Sequence, residues 1–119
     1  MKTLDRSFGW LLVLGAILHS GGSLVALRGN PGVLVWALSG SLAALLVAAL
    51  NLMRVNRPGD RSLAWVAAAG SIAWTLVAIG FGASVGNVFD PRALYHTIAG
   101  AVLAAFSIRT ATARRPDAA

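Results

Sequence analysis

Two histidines, His19 and His96, stand in long apolar runs with some hydroxyls and amides, among them Ser20, Ser23, Ser39, Ser41, Ser71, Thr75, Asn87 and Thr97. Ionisable groups in such runs are candidate functional groups by default. Each histidine shares a helical face with glycine, as Gly15, His19 and Gly22 and as His96 and Gly100. That spacing suits three chemistries. An imidazole bonded to a hydroxyl or carbonyl of a neighbouring helix would fix register. Paired imidazoles, with glycines clearing room for a flat macrocycle, would ligate a b-type haem from its two sides. A single imidazole could bond a quinone carbonyl. Two histidines without Cys or carboxylate partners are too few for a closed zinc site, so no metal site is expected. There is no Cys and no Glu, and Asp5, Asp60, Asp90 and Asp117 all lie outside the apolar runs. No Ser-His-Asp set, HExxH, CxxC or phosphate loop occurs, and no enzyme is expected.

The elements that would hold these residues follow from where the charges fall. The chain of 119 residues is 57% hydrophobic and 12% charged, with a mean hydropathy of +0.74. Soluble domains carry about 25% charged residues, and one this small could not bury so much apolar surface. Four charge-free stretches remain: Ser7–Leu27, Gly29–Met53, Ser62–Phe89 and Ala93–Ile108. A spanning helix needs about 20 apolar residues. The fourth stretch is short, but Arg92 and Arg109 at its flanks can snorkel. The expected fold class is therefore an all-α membrane protein: one domain over 1–119, a compact antiparallel bundle of four transmembrane helices. The spans are placed at 8–27, 32–53, 62–85 and 92–108. Between them lie Arg28-Gly29-Asn30-Pro31-Gly32, Asn56-Arg57-Pro58-Gly59-Asp60 and Gly86-Asn87-Val88-Phe89-Asp90-Pro91. Asp60 and Asp90 are placed to cap helices, and Pro91 to start one. No period-two alternation supports a β-barrel. The first run lacks a small-x-small cleavage site and three more runs follow, which favours a span over a signal peptide.

The basic residues set an orientation. Lys2, Arg6, Arg54, Arg57, Arg61, Arg109, Arg114 and Arg115 fall on one side, against Arg28 and Arg92 on the other. The positive-inside rule then places both termini and the middle loop in the cytoplasm. The net charge of +6 is explained by topology and anionic lipid, with no nucleic acid partner. Low Lys with abundant Arg, Ala and Gly points to a bacterial inner membrane.

A shift of 60 residues aligns Gly22 with Gly82, Val25 with Val85, Pro31 with Pro91, Leu34 with Leu94, Gly40 with Gly100, Ala44 with Ala104 and Arg54 with Arg114. This reads either as a duplicated helical hairpin or as coincidence in a skewed composition. Gly15, Gly22 and Ala26, then Gly40, Ala44 and Ala48, then Gly82 and Gly86, then Gly100 and Ala104 form small-residue faces suited to close helix packing. Trp10, Trp36, Trp65 and Tyr95 lie near span ends as interfacial residues, and Trp74 lies deeper.

The length and helix number resemble the small multidrug-resistance family, which exchanges substrates through a Glu in its first helix. This chain has none, and its one-sided charge opposes dual topology. Gly21-Gly22 followed by Arg28 is similar to the opening of bacterial fluoride channels. The second span lacks their mid-membrane Asn, Asn51 being placed at the cytoplasmic end, and the third lacks their paired Phe. Neither resemblance carries a function across. The expected role is a multi-pass accessory or assembly subunit of a larger membrane complex, or a homo-oligomer. Its partners would be the lipid bilayer and other membrane subunits or itself, with no cofactor. The alternative is a ligand-binding protein using His19 and His96, for haem b or quinone, or a small-solute channel.

Overall fold

The computed structural model describes residues 1–113 and contains four helices, α1 (Lys2–Ala26), α2 (Pro31–Asn56), α3 (Arg61–Ser84) and α4 (Pro91–Thr112). Helix starts are set by short polar side chains. Asn30 accepts from the Val33 amide at 3.2 Å, Asp60 from Leu63 at 2.9 Å and Asp90 from Arg92 at 3.0 Å. Pro31 and Pro91 occupy the first helical turn, where a missing N–H leaves no bond unmade. At the end of α3, Gly86 takes φ +76°, and the amides of Gly86 and Asn87 return to the carbonyls of Ala83 and Gly82. Glycine is the residue that reaches this left-handed cap without strain.

The helices run antiparallel. α1 packs chiefly on α2 and α3 on α4, with lesser contact between α2 and α3 and between α1 and α4. The buried face is built from small residues: Ala16, Ala44, Ala48, Ala64, Ala67, Ala68, Ala99 and Ala111, with Leu12 and Leu103 filling the centre. Large apolar side chains point outward, Trp36 at 80% exposure and Phe89 at 75% among them. This inverts the soluble pattern. In lipid no hydrophobic force separates a leucine from its surroundings, so close backbone approach and dispersion contact decide which residues pack inside.

α1, α2 and α3 are long and apolar enough to cross a membrane by length and composition; α4 is less apolar and falls short of that measure. Its apolar run is only Ile98–Phe106 wide, because His96 and Thr97 precede it and Ser107, Arg109, Thr110 and Thr112 follow. At the end where α1 starts, α4 ends and α2 connects to α3, α1, α2 and α4 run past the expected span limits. They take in Asp5, Arg54 and Thr110, charged and polar residues that the sequence marks as boundaries.

Of the residues aligned by the 60-residue shift, Pro31 and Pro91 both open helices and Ala44 and Ala104 are both buried. The caps differ in detail, Asn30 accepting from the amide three residues on and Asp90 from the amide two residues on. Gly40, however, has open space where a side chain would stand, whereas a Cβ on Gly100 would lie 2.5 Å from Thr75 Oγ1. Gly22 is likewise open, while a Cβ on Gly82 would lie 2.9 Å from the Val88 Cα. The Arg54–Arg114 match falls outside the described residues.

Candidate functional site

At the basic end of the bundle the interior is polar. Asp5 continues the buried face of Gly9, Leu12 and Ala16 on α1, and Arg54 continues that of Ala44, Val47, Ala48 and Asn51 on α2. Arg54 is 1% exposed and Asp5 7%. Arg54 Nη2 donates to Asp5 Oδ1 at 2.6 Å and Nη1 to Oδ2 at 2.9 Å, a two-pronged pair. The same two nitrogens also donate to Asn51 Oδ1 at 3.2 Å and to Thr110 Oγ1 at 3.0 Å. Of the guanidinium's five N–H groups, the one on Nε is buried without a partner.

Asn51 is the hub. Its Nδ2 donates to the Val47 carbonyl and to Ser71 Oγ, both at 2.9 Å. Its Oδ1 accepts from Arg54 and from Ser107 Oγ, the latter at 2.8 Å. All four hydrogen-bonding positions of the amide are therefore used. Arg54 can only donate, which fixes which way the amide faces. One network thus ties α1 through Asp5, α2 through Asn51 and Arg54, α3 through Ser71, and α4 through Ser107 and Thr110. Around it, Arg6 Nη2 donates to Asn56 Oδ1 at 2.8 Å, and Arg61 Nε to the Ala111 carbonyl at 2.9 Å. A carboxylate with both oxygens held by one guanidinium is a structural anchor. Breaking such a pair from one side is costly because it strands a buried charge.

The histidines lie toward the other end. His19 Nδ1 and Ser41 Oγ are 2.8 Å apart, the helix-to-helix bond that the structural reading of this histidine requires. The His96 ring sits between Trp74 and Tyr95, edge to face with both at centroid distances of 5.4 Å. It also packs on Gly15: a Cβ there would stand 3.0 Å from His96 Cε1 and 2.6 Å from Tyr95 Cε1. Gly15 therefore clears room for these two rings. The Tyr95 hydroxyl donates to the Leu11 carbonyl. His19 lies one turn beyond Gly15, about 6 Å along the axis, so the two histidines occupy adjacent levels, His19 bonded to α2 and His96 packed on α1 and α3. His96 Nδ1 and Trp74 Nε1 are buried without partners.

Other polar residues of the spans do local work. Ser20, Ser39 and Thr75 donate to carbonyls one turn back, at Ala16, Val35 and Ser71. No group of three or more His, Cys or acidic residues able to hold a metal occurs among the described residues. Sequence reasoning missed the Asp5–Arg54 network and set Asn51 aside as an end residue; it is fully buried. The signal lay in spacing, since Ala44, Val47, Asn51 and Arg54 form one i, i+3, i+4 stripe. No protein-family model, no curated protein and no solved structure matches the chain.

Proposed function

We propose that this chain is a four-span integral membrane protein that works by association, as an accessory or assembly subunit of a larger membrane complex or as a homo-oligomer. It sits in the inner membrane of a bacterium with both termini cytoplasmic. The observation that carries this reading is the state of the interior. Its charged pair and its amide are bonded to one another and to hydroxyls of α3 and α4, while the large apolar side chains face outward. Such a molecule offers its surroundings a shape and an apolar surface.

α4 spans in this reading despite its weaker hydropathy. Ser107 and Thr110 are spent inside the network, and His96 turns toward α1 and α3, so the polar groups of α4 need not meet lipid. The test is mass. Extracted from its native membrane in mild detergent, the protein should carry a protein mass well above its own 12.2 kDa. A monomer of 12.2 kDa under those conditions would contradict the proposal.

A second reading, a ligand site on His19 and His96 for haem b or a quinone, rests on the partnerless His96 Nδ1 and Trp74 Nε1. Buried polar atoms without partners call for an explanation, and a bound polar group is one. The visible spectrum of the purified protein tests for haem, and the ultraviolet spectrum of its organic extract tests for a quinone; the absence of both leaves the first reading.

A further inference from the structure

An open groove of about 440 Å³ runs along the outside of α1, lined by Thr3, Arg6, Ser7, Trp10, Leu11 and Leu14. Its polar members lie at the end nearest the terminus and its apolar members deeper, over about 12 Å from Arg6 to Leu14 at helical rise. Arg6 and Trp10 are both exposed. Arg6 is held in place by its bond to Asn56 on α2, which fixes the guanidinium at the mouth of the groove. Ser7 Oγ spends its proton on the Thr3 carbonyl, which leaves the guanidinium as the main donor there.

The charge around this mouth is one-sided. Lys2 lies one turn before Arg6, and Arg57 follows Asn56. Among the described residues at this end, both acids are engaged, Asp5 by Arg54 and Asp60 by the start of α3. A cationic mouth, an indole one turn deeper and leucines beyond it match the order of groups in an anionic lipid seen from the side: phosphate, glycerol ester, acyl chain. Indoles favour that intermediate level.

We propose that this groove holds one anionic glycerophospholipid, its phosphate on Arg6 with support from Lys2, and its acyl chain along Trp10, Leu11 and Leu14. The site rests on the membrane-spanning reading given above. Bound there, the lipid extends the bundle's outer surface with a fixed negative headgroup beside α1.

Native mass spectrometry of the purified full chain tests this, using phosphatidylglycerol and phosphatidylcholine of identical acyl chains as probes. The wild type should retain one phosphatidylglycerol in preference to phosphatidylcholine. Arg6→Ala should lower that retention about fivefold, the factor equivalent to about 1 kcal/mol per basic residue at an anionic surface. Trp10→Ala should also lower it, and Arg28→Ala, at the opposite end, should leave it unchanged. Equal retention of the two lipids by the wild type would overturn the site. So would equal losses in Arg6→Ala and Arg28→Ala, since bulk charge would then explain binding. Circular dichroism of each variant separates lost lipid from lost fold. Alkaline carbonate extraction isolates the underlying reading: protein released to the supernatant would sink the membrane assignment, whereas pelleted protein without lipid selectivity would sink the groove alone.

Discussion

Asp5→Ala removes two of the four hydrogen bonds made by Arg54 and leaves a guanidinium that is 1% exposed without its counter-charge. Truncating one partner of a buried ion pair costs about 3–5 kcal/mol, about two powers of ten or more in the folding equilibrium. The neutral neighbour gives the scale for comparison. Thr110→Ala removes one hydroxyl acceptor from Arg54, and membrane side-chain hydrogen bonds average about 0.6 kcal/mol. The double variant Asp5→Ala, Arg54→Leu removes both charges, so its cost should fall well below the sum of the single losses, with coupling of about 2–3 kcal/mol. Reversible unfolding in mixed micelles, followed by far-ultraviolet circular dichroism, measures the wild type, Asp5→Ala, Arg54→Leu, Thr110→Ala and the double variant. A loss under about 0.5 kcal/mol for Asp5→Ala, on the scale of an exposed pair, would refute the reasoning. Additive single losses would do the same.

Gly82→Ala should cost about 1–3 kcal/mol by overpacking, because the new methyl would stand 2.9 Å from backbone at Val88; Gly22→Ala, into open space, should be neutral or stabilising in the same unfolding assay. The Arg92 guanidinium beside Asp90 holds its carboxyl well below the ordinary range, to about 2. The stabilisation from this cap is therefore complete above pH ~4, the ordinary Asp value, and is lost as pH falls through about 2. A carboxyl-carbon titration by nuclear magnetic resonance should find Asp90 half-protonated near pH 2, and a midpoint near 4 would remove the Arg92 interaction. Protein produced with ample haem should be colourless, and His19→Leu should lose only the modest stability of its bond to Ser41. A Soret band abolished in both His19→Leu and His96→Leu would instead establish the ligand reading.

The four helices and the starts of α3 and α4 were legible because they depend on local chemistry. Charge-free runs gave the helices, and Asp60, Asp90 and Pro91 marked starts that the structure uses. The polar network was not legible in the same way. A charge in a hydropathy pattern reads as the point where a helix leaves the membrane, and Asp5 and Arg54 are 49 residues apart. Only the packing of α1 against α2 turns two boundary markers into one buried pair. Small-residue faces were legible in part: Gly15, Ala44, Ala48, Gly82, Gly100 and Ala104 pack inside, while Gly22, Ala26 and Gly86 are exposed. Spacing shows that a face is narrow enough to pack but not which neighbour reaches it. His19 met a hydroxyl on α2 as its structural reading expects, whereas the aromatic setting of His96 depends on Trp74, whose approach no spacing on α4 reveals.

Four crossings, as proposed, would bring both termini and the α2–α3 connection to one side of a membrane. Because the chain has no Cys, single cysteines at exposed connections report this directly in intact cells treated with an impermeant thiol reagent. Gly29→Cys and Phe89→Cys should label, and Gly59→Cys and Thr112→Cys should label only after the membrane is opened. Labelling of Thr112→Cys from outside, together with Phe89→Cys, would mean that α4 does not cross, and would contradict the four-span bundle.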